Sequence, residues 1–505
     1  MYTKEDLKSF KQRGVKTEQI ERQLDNFKKG FSPVNLSAPA TIGNGITQIA
    51  AEDEKRLIDE YDTFAAKAEI LKMVPASGSA TRMFKDLFSF IENYSGSEEE
   101  FLEFVQHKDS GTMYDFFSKI DQLPFYNRLS AAMWNAGKDI QKEIEKRNYI
   151  EILNYILTDK GLNYGNTPKG LIDFHIYRDF VRTAFDEHIV EGALYASNGK
   201  TSKLHFTVSE QYMPLFKDRL KKITKVFEKM FNIKYEVTFS IQKPSTDTVS
   251  ITAEGELLKD ENGKIVFRPG GHGALIYNLD ELKADIIFIK NIDNVIPDRA
   301  KNDTIKYKKL LAGTLLELQK KIFGYLELLD KKPTAEQLDE ITDFANRHIG
   351  YKEAEEKTFK DTKARIKYLH KLLNRPIRVC GMVKNADGSS RLMIVEAAQI
   401  NLKDKEQKKI FEQSTHFNPV DLVCGVMNYK GKKFDLEQFI AADQGFITDK
   451  SYKGKDIKVQ ELPGLWNGAM ANWTTVFVEV PLTTFTPVKT VFDLFRFEHR
   501  NVLKK

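Results

Sequence analysis

Hydrophobic positions along the chain change repeatedly between helical and strand-like spacing. Apolar residues recur three or four positions apart between Glu52 and Lys67, which predicts a helix, and the apolar run from Ile70 to Val74 predicts a strand. Further strands are predicted at Lys203–Ser209, Tyr235–Ile241 and Asp285–Asn291, with helical stretches between them. Strands that alternate with helices usually form a largely parallel sheet covered by helices. The pattern therefore predicts an α/β fold with a mostly parallel, mixed sheet flanked by helices.

Two long segments show helical spacing without a strand signal, and we interpret them as helical insertions. The chain also begins with a helical segment, in which Thr3 and Asp6 have the spacing of a capping box and Gly30 suits a helix end. The predicted regions are a helical lead-in over 1–68, an α/β core over 69–302 that includes one insertion over 97–160, the second insertion over 303–372, a further α/β part of the core over 373–490, and a C-terminal helix over 491–505.

Composition and charge exclude several classes of protein. The chain is 41% hydrophobic and 30% charged, which is typical of a folded globular protein. Its net charge of +5 comes from interleaved acidic and basic residues, so we expect no nucleic-acid partner. Neither a secretion signal nor a long apolar stretch is apparent, and we expect a cytoplasmic protein without a membrane partner. Cys380 and Cys424 are too few for a disulfide framework or a zinc cluster, and we interpret them as buried free thiols.

The loop after the first predicted core strand has a composition suited to phosphate binding. It consists of Ala76, Ser77, Gly78, Ser79, Ala80, Thr81 and Arg82. Small residues let backbone amides approach phosphate oxygens, and an arginine supplies a fixed positive fork for their charge. Such a loop is also commonly only a turn, so the composition alone does not decide between the two readings.

Two further segments suit the same chemistry. Asp293 lies at or just beyond the carboxyl end of an apolar strand, which is the edge where ligands bind in open α/β sheets. A carboxylate there can hold Mg²⁺ against triphosphate oxygens, although it could also simply cap the next turn. Gly271, His272 and Gly273 belong to a glycine-rich segment that permits close backbone approach to a ligand, or forms only a hairpin or loop.

The order of these segments resembles the UDP-sugar pyrophosphorylases. That family carries small-Gly-x-Gly-Thr-Arg-Leu followed by Pro-Lys-Gly-Leu, and the corresponding halves here are Gly78–Met83 and Pro168–Leu171. The family joins the two halves directly, whereas here a helical insertion separates them. The further matches, in chain order, are Thr207–Ser209, Gln242, the glycine-rich segment, Asn291–Asn294, Ile394–Ile400 and Lys489.

The resemblance implies an activity and a role for each matching residue. The chain would join a nucleoside triphosphate, with UTP favoured, to a sugar 1-phosphate and release pyrophosphate, with Mg²⁺ as cofactor. The backbone of the loop from Ala76 to Thr81 would hold the triphosphate. The residues implied at phosphate groups are Arg82, Lys169 and Lys489, and the implied metal ligand is Asp293. The residues implied at the base or ribose are Gln242, Gly271, His272 and Gly273, and those implied at the sugar are Glu396 and Asn418.

The sequence also departs from the family. Ser77 and Ala80 stand where the family loop has glycines, and Gln399 replaces a second acidic residue on the sugar side. Added β-carbons restrict positive φ angles and the approach of phosphate to the backbone. We nevertheless expect Arg82 and Lys169 to face a solvent-filled cleft, so that replacing either should leave the fold intact.

Two other functions remain open from the sequence. One is a catalytically idle protein that binds a nucleotide or a nucleotide sugar, although the retained Asp293 and the basic residues favour an enzyme. The other is an interaction protein that uses Trp466 and Trp473, since tryptophans often dominate interfaces, but such residues more often line a core or a substrate cleft. The segments STHFNPVDLVCG and ELPGLWNGAM resemble a bacterial family of unknown function, DUF4301, which names no substrate.

Overall fold

The computed structural model describes residues 2–106, 111–178, 180–351, 357–385, 400–461 and 468–500. Its strands are β1 (Thr41–Ile42), β2 (Gly45–Thr47), β3 (Ile70–Pro75), β4 (Asp173–Ile176), β5 (Val181–Thr183), β6 (Thr201–Thr207), β7 (Lys234–Ser240), β8 (Thr248–Thr252), β9 (Phe267–Arg268), β10 (Ile286–Lys290), β11 (Ile377–Lys384), β12 (His416–Phe417), β13 (Asp421–Gly425), β14 (Phe446–Tyr452), β15 (Lys455–Glu461) and β16 (Thr474–Val480).

Helices cover much of the remaining described chain. They are α1 (Lys4–Arg13), α2 (Thr17–Lys29), α3 (Ala51–Ala65), α4 (Lys85–Asn93), α5 (Glu98–Gln106), α6 (Met113–Ser118), α7 (Tyr126–Asn135), α8 (Ile140–Glu145), α9 (Tyr149–Leu157), α10 (Ala184–Tyr195), α11 (Met213–Phe231), α12 (Ile276–Leu279), α13 (Lys301–Asp330), α14 (Ala335–Ile349), α15 (Thr362–Leu373) and α16 (Lys405–Glu412).

Ten strands of the described chain form one mixed, mostly parallel sheet, and the predicted α/β fold class is confirmed. Two compact units share the chain. The first consists of Met1–Met73, Ser240–Ile289 and Tyr307–Pro481, and the second consists of Val74–Phe239, Lys290–Lys306 and Leu482–Lys505.

The first unit contains the larger part of the sheet, in the order β1-β2-β16-β11-β13-β10-β3 with β12 on β11. Strand β11 pairs parallel with β16 and antiparallel with β13, while β10 pairs parallel with β3. Every residue of β10 is buried, as expected for a central strand covered on both faces. Cys380 and Cys424 are buried and unbridged in the same core, as the sequence predicted.

A second sheet in the first unit has the order β14-β15-β8-β9. The N-terminal helices α1 and α2 pack against it through Phe10, Val15 and Ile20, which contact Val249 and Ile265. The predicted capping box of Thr3 and Asp6 starts α1. Gly14 adopts a left-handed φ of 69° and ends that helix. The predicted lead-in over 1–68 contains the helices α1, α2 and α3 and the short strands β1 and β2.

The second unit is built from the strands β4 to β7 and the helices α4 to α11. The predicted insertion over 97–160 consists of the five helices α5 to α9. These helices belong to a large hydrophobic core in which the rings of Phe104, Phe117 and Tyr149 contact one another. The insertion therefore contributes to the hydrophobic core of the second unit and is not a peripheral addition to it.

The predicted C-terminal helix is much shorter in the structure. Over the described part of 491–505, only a single 3₁₀ turn forms, Val491–Phe495. Thr490 and Asp493 form a capping box that starts this turn, and Arg496 takes an extended conformation that ends it. The apolar spacing of the tail reflects packing, because Val491 and Leu494 are buried in the core of the second unit.

Candidate functional site

Asp293 occupies the centre of a group of charged side chains in the second unit. It follows the buried strand β10 and is only 8% exposed. Its Oδ2 atom accepts hydrogen bonds from Lys169 Nζ at 2.8 Å and from Lys489 Nζ at 2.9 Å. Two predicted phosphate-binding lysines and the predicted metal ligand, which are far apart in the chain, therefore lie together.

The two halves of the signature motif also lie side by side. Lys169 N donates to Gly78 O at 3.1 Å, and Ala80 N donates to Thr167 O at 3.2 Å. These two bonds form a short antiparallel bridge between Ser79 and Pro168. The helical insertion between the halves therefore leaves their contact intact, because the chain returns to the loop directly after it.

Gly170 explains how Lys169 is held at this position. A β-carbon at Gly170 would lie 3.0 Å from the ring of Phe216 and 3.2 Å from Ile292. At these distances the two side chains would have to shift by a few tenths of an ångström to admit a β-carbon, so Gly170 suits the close packing. The backbone of the Pro-Lys-Gly segment is thereby pressed against the core, and Lys169 projects toward Asp293 from a fixed base.

A third segment of the site, 487–493, lies near the C-terminal end of the described chain. Val488 N donates to Asp293 O at 3.1 Å, and Val491 N donates to Met83 O at 3.0 Å. The carboxylate of Asp493 accepts the backbone amides of Lys489 and Thr490, each at 2.7 Å. Sequence reasoning missed Asp493, although the capping-box spacing from Thr490 is the signal that could have revealed it.

The charged groups of the site shift one another's pKa values. Burial would raise the pKa of Asp293, but the ammonium groups of Lys169 and Lys489 outweigh it and lower that pKa below its ordinary value. Burial lowers the pKa of Lys169, and the attraction of Asp293 offsets this only in part. The carboxylate of Asp493 also attracts Lys169, so the two lysines of the group are matched by two carboxylates. An anionic ligand would therefore have to draw a lysine away from its carboxylate.

The exposure of the basic residues differs from the expectation in one respect. Arg82 is exposed, as expected, and no acceptor in the described chain contacts its guanidinium group. Lys489 has 56% of its side chain exposed, whereas Lys169 has only 13%. Lys169, which was expected to face a solvent-filled cleft, is largely withdrawn from solvent, because its ammonium group is held against the carboxylate of Asp293.

Only part of the small-residue loop is available to a ligand. Ala76 N donates to Thr207 O at 2.8 Å, and Ala80, which is fully buried, uses its amide to bond Thr167. Within the described residues, the amides of Gly78, Ser79 and Thr81 meet no acceptor. Ser77 contributes its carbonyl oxygen, which accepts a hydrogen bond from Ser209 Oγ at 2.9 Å.

The residues predicted at the base or ribose all belong to the first unit. Gln242 Nε2 donates to Thr246 Oγ1 at 3.4 Å, a long hydrogen bond. Gly271 has a φ of 82°, which disfavours any other residue there. His272 and Gly273 lie in a 3₁₀ turn that leads into the short helix α12.

The predicted sugar residues give a different picture. Glu396 and the neighbouring Gln399 lie outside the described residues. Asn418 is 2% exposed, and its Oδ1 accepts a hydrogen bond from Val420 N at 2.9 Å. Val420 has a φ of 61°, a strained conformation for a β-branched residue, so Asn418 stabilises a strained turn in this structure.

The two tryptophans considered for an interface are not both described. Trp466 lies outside the described residues, while Trp473 is 2% exposed in the core of the first unit. A buried Trp473 fits the core interpretation and offers no surface to a partner.

Asp293 is the candidate for a metal ligand. The described residues contain no group of three or more His, Cys, Asp or Glu side chains that could hold an ion by themselves. A single carboxylate fits Mg²⁺, which commonly binds through one or two carboxylates, substrate phosphates and water. Both lysines donate to Oδ2, so an ion would bind through Oδ1 or would displace a lysine, and the exposed Lys489 is the one freer to move.

The chain is distantly similar to solved structures of two pyrophosphorylases. The uridine diphosphate N-acetylglucosamine pyrophosphorylase of Trypanosoma brucei matches with 12% identity and a TM-score of 0.46, over 94% of this chain and 74% of that chain. A UDP-glucose pyrophosphorylase variant of Leishmania major matches with 13% identity and a TM-score of 0.40, over 97% of this chain and 77% of that chain.

The chain belongs to the DUF4301 family, whose model, described as a domain of unknown function, matches residues 3–500. No curated protein matches the sequence. Across the part of the chain that the structure describes, none of the helices has both the length and the apolar character needed to cross a membrane.

Proposed function

We propose that the chain is a Mg²⁺-dependent nucleotidyltransferase that joins a nucleoside triphosphate, with UTP favoured, to a sugar 1-phosphate. The main support for the proposal is that Lys169 and Lys489 both donate hydrogen bonds to Asp293. The loop bonded to Lys169 has backbone amides without an acceptor among the described residues. An oxygen of the sugar phosphate attacks the α-phosphorus, and the bond from that phosphorus to the β-phosphate oxygen breaks. Pyrophosphate leaves, and a nucleoside diphosphate sugar remains.

The residues of this site would act by position and charge. Phosphoryl and nucleotidyl transfer needs little covalent help from the protein, so that most of the catalysis comes from orientation and charge stabilisation. The amides of Gly78, Ser79 and Thr81 and the exposed guanidinium of Arg82 offer donors to the triphosphate. Lys169 would neutralise charge from a fixed position, while Lys489 would exchange Asp293 for a phosphate group.

Asp293 would hold Mg²⁺ once the triphosphate attracts Lys489 away. The ion would supply positive charge to the phosphate oxygens during the transfer. The assignments of Gln242, Gly271, His272 and Gly273 to the base, and of Glu396 to the sugar, stay predictions. Asn418 does not form part of the proposal, because it is buried and engaged with Val420.

The activity is tested by pyrophosphate release. The chain is incubated with UTP and, in turn, ATP, GTP and CTP, each with a mixture of sugar 1-phosphates and with Mg²⁺ or EDTA. We expect release that requires both a sugar phosphate and Mg²⁺ and that is fastest with UTP. Nucleotide binding by thermal shift without any release would instead indicate the catalytically idle binding protein.

Gly78 allows the role of the loop to be tested apart from its folding. An added β-carbon at Gly78 would meet no atom within 4 Å, and Gly78 does not adopt a positive φ. Gly78→Ala should therefore keep the wild-type melting temperature. Its affinity for UTP should fall by about tenfold or more, because the methyl group hinders hydrogen bonds from amides to a charged phosphate.

Gly324→Ala is the matched control, since Gly324 also has open space and no positive φ. It should bind UTP as the wild type does, as measured by titration calorimetry. Equal UTP affinity in Gly78→Ala and wild type would exclude the loop from triphosphate binding.

A further inference from the structure

A cavity of about 470 Å³ lies within the first unit. Its walls come from α2 and the turn before it, from the segment between β7 and β8, and from α12 and β15. Cavities of this size are typical of small-molecule sites. Lys169, Asp293 and Lys489 do not line it, and Gly273 is the only predicted base-contacting residue among its described lining residues.

Gln460 gives the cavity an unfilled hydrogen-bonding requirement. Its neighbour Val459 is packed into a hydrophobic core, so the side chain of Gln460 lies on the opposite face of β15, where it lines the cavity. Gln460 is 5% exposed, and its Oε1 atom has no hydrogen-bond partner. Buried polar atoms are nearly always paired, so this acceptor indicates a donor that a ligand supplies.

The other polar side chains of the cavity define the chemistry of that ligand. Cationic side chains outnumber acidic ones on the described lining, which contains Lys16, Arg22 and Lys243 but a single carboxylate, Glu437. Lys243 is paired with Glu281 at 2.7 Å, which leaves Lys16 and Arg22 for an anion. The amide side chains on the lining are Gln19, Gln23, Asn26, Gln444 and Gln460.

Amide side chains both donate and accept, which matches hydroxyl groups, because a hydroxyl also does both. Tyr277 adds an aromatic ring, whose face packs well against the apolar face of a sugar ring. We propose that this cavity binds a polyhydroxylated organic anion, with a hydroxyl group donating to Gln460 Oε1 and the anionic group near Lys16 and Arg22. Of the residues assigned to the proposed transferase, the described lining includes only Gly273, and the inference does not depend on the proposed function.

The experiment measures binding by titration calorimetry in the full chain carrying Arg82→Ala and Lys489→Ala, which removes the two most exposed cations of the other site. The probes are glucose 1-phosphate, glucose 6-phosphate, gluconate and glucuronate, with glucose, inorganic phosphate and UMP as comparisons. The first four distinguish a sugar phosphate from a sugar acid as the source of the anion. Each probe is tested with Gln460→Leu, with Arg22→Gln and with the control Lys29→Gln, an exposed cation of the same helix outside the cavity.

At least one polyhydroxylated anion should bind more tightly than glucose, phosphate or UMP. Gln460→Leu and Arg22→Gln should each weaken that binding by about tenfold, and Lys29→Gln should not. Gln460→Leu should keep or raise the melting temperature, because it removes an acceptor that is unpaired without ligand. The proposal is overturned if none of the four anions binds, if UMP binds most tightly, or if Arg22→Gln leaves the affinity unchanged.

Discussion

Replacing Lys489 by alanine should lower pyrophosphate release by about 100- to 1000-fold, the usual cost of losing one positioned donor that stabilises developing charge. Lys489 Nζ lies 2.9 Å from Asp293 Oδ2, and more than half of its side chain is exposed. It is therefore the member of the charged group best able to reach a bound phosphate. The loss should appear in turnover, measured with saturating UTP and sugar phosphate.

The stability of the Lys489→Ala variant should change little. The pair with Asp293 is exposed on the lysine side, and such pairs contribute less than about 1 kcal/mol to the free energy of unfolding. The backbone of Lys489 remains held by Asp493, whatever the side chain. The urea unfolding curve of the variant should therefore overlay that of wild type. A loss of turnover could then not be attributed to a loss of folded protein.

Lys222→Ala is a suitable control, because Lys222 is an exposed lysine of the same unit that pairs with Asp218 on the surface of a helix. It should retain wild-type turnover. If Lys489→Ala also retained it, Lys489 would have no part in the transfer, and the interpretation of the charged group as a phosphate site would lose its most accessible cation.

The sequence predicted the central strands because consecutive apolar residues indicate a buried strand. Ile286–Lys290 begins with four consecutive apolar residues, which point to both faces of the sheet. Both faces must therefore be covered, and the structure buries all four residues. The second sheet was less accessible to sequence reasoning. Strand β15 pairs with β8, and no local pattern specifies a pairing between segments so far apart in the chain.

The candidate site, too, was predictable from the sequence only in part. The order of the motifs predicted that the loop at Gly78, Lys169 and Asp293 would belong together, and the structure brings them into contact. The burial of Lys169 was not predictable, because it depends on the packing of Gly170 against Phe216 and Ile292. A lysine in a sequence is expected to be exposed, and only the tertiary structure reveals the carboxylate that holds it inside.

Replacing Asp293 by asparagine should destabilise the chain by about 3–5 kcal/mol, the usual cost of removing one partner of a buried ion pair. Lys169 would keep its buried position but lose the carboxylate that stabilises its charge. Lys169→Met should cost less, because Asp293 would keep Lys489 as a partner. Combining the two substitutions should recover part of the stability lost in Asp293→Asn, since no uncompensated buried charge remains.

The pH dependence of unfolding distinguishes this explanation from a general loss of packing. The pKa of Asp293 is lowered in the folded chain, so its carboxylate contributes stability above its unfolded pKa, and that stability is lost as the pH falls through the lowered value. The gap between wild type and Asp293→Asn should therefore narrow below about pH 4. At the alkaline end the variant should gain stability as the pH rises toward about 10, because Lys169, whose pKa burial already lowers, can then stay neutral in the folded state.

Pyrophosphate release by the same variants tests the role of Asp293 in the transfer. Asp293→Asn and the double variant should both lack Mg²⁺-dependent pyrophosphate release, whatever stability the double variant recovers. A stable double variant without turnover would show that the site keeps a buried charge pair for chemistry at the expense of stability. Full turnover in Asp293→Asn, at a temperature where it remains folded, would remove Asp293 from the metal site and with it the reason to place Mg²⁺ there.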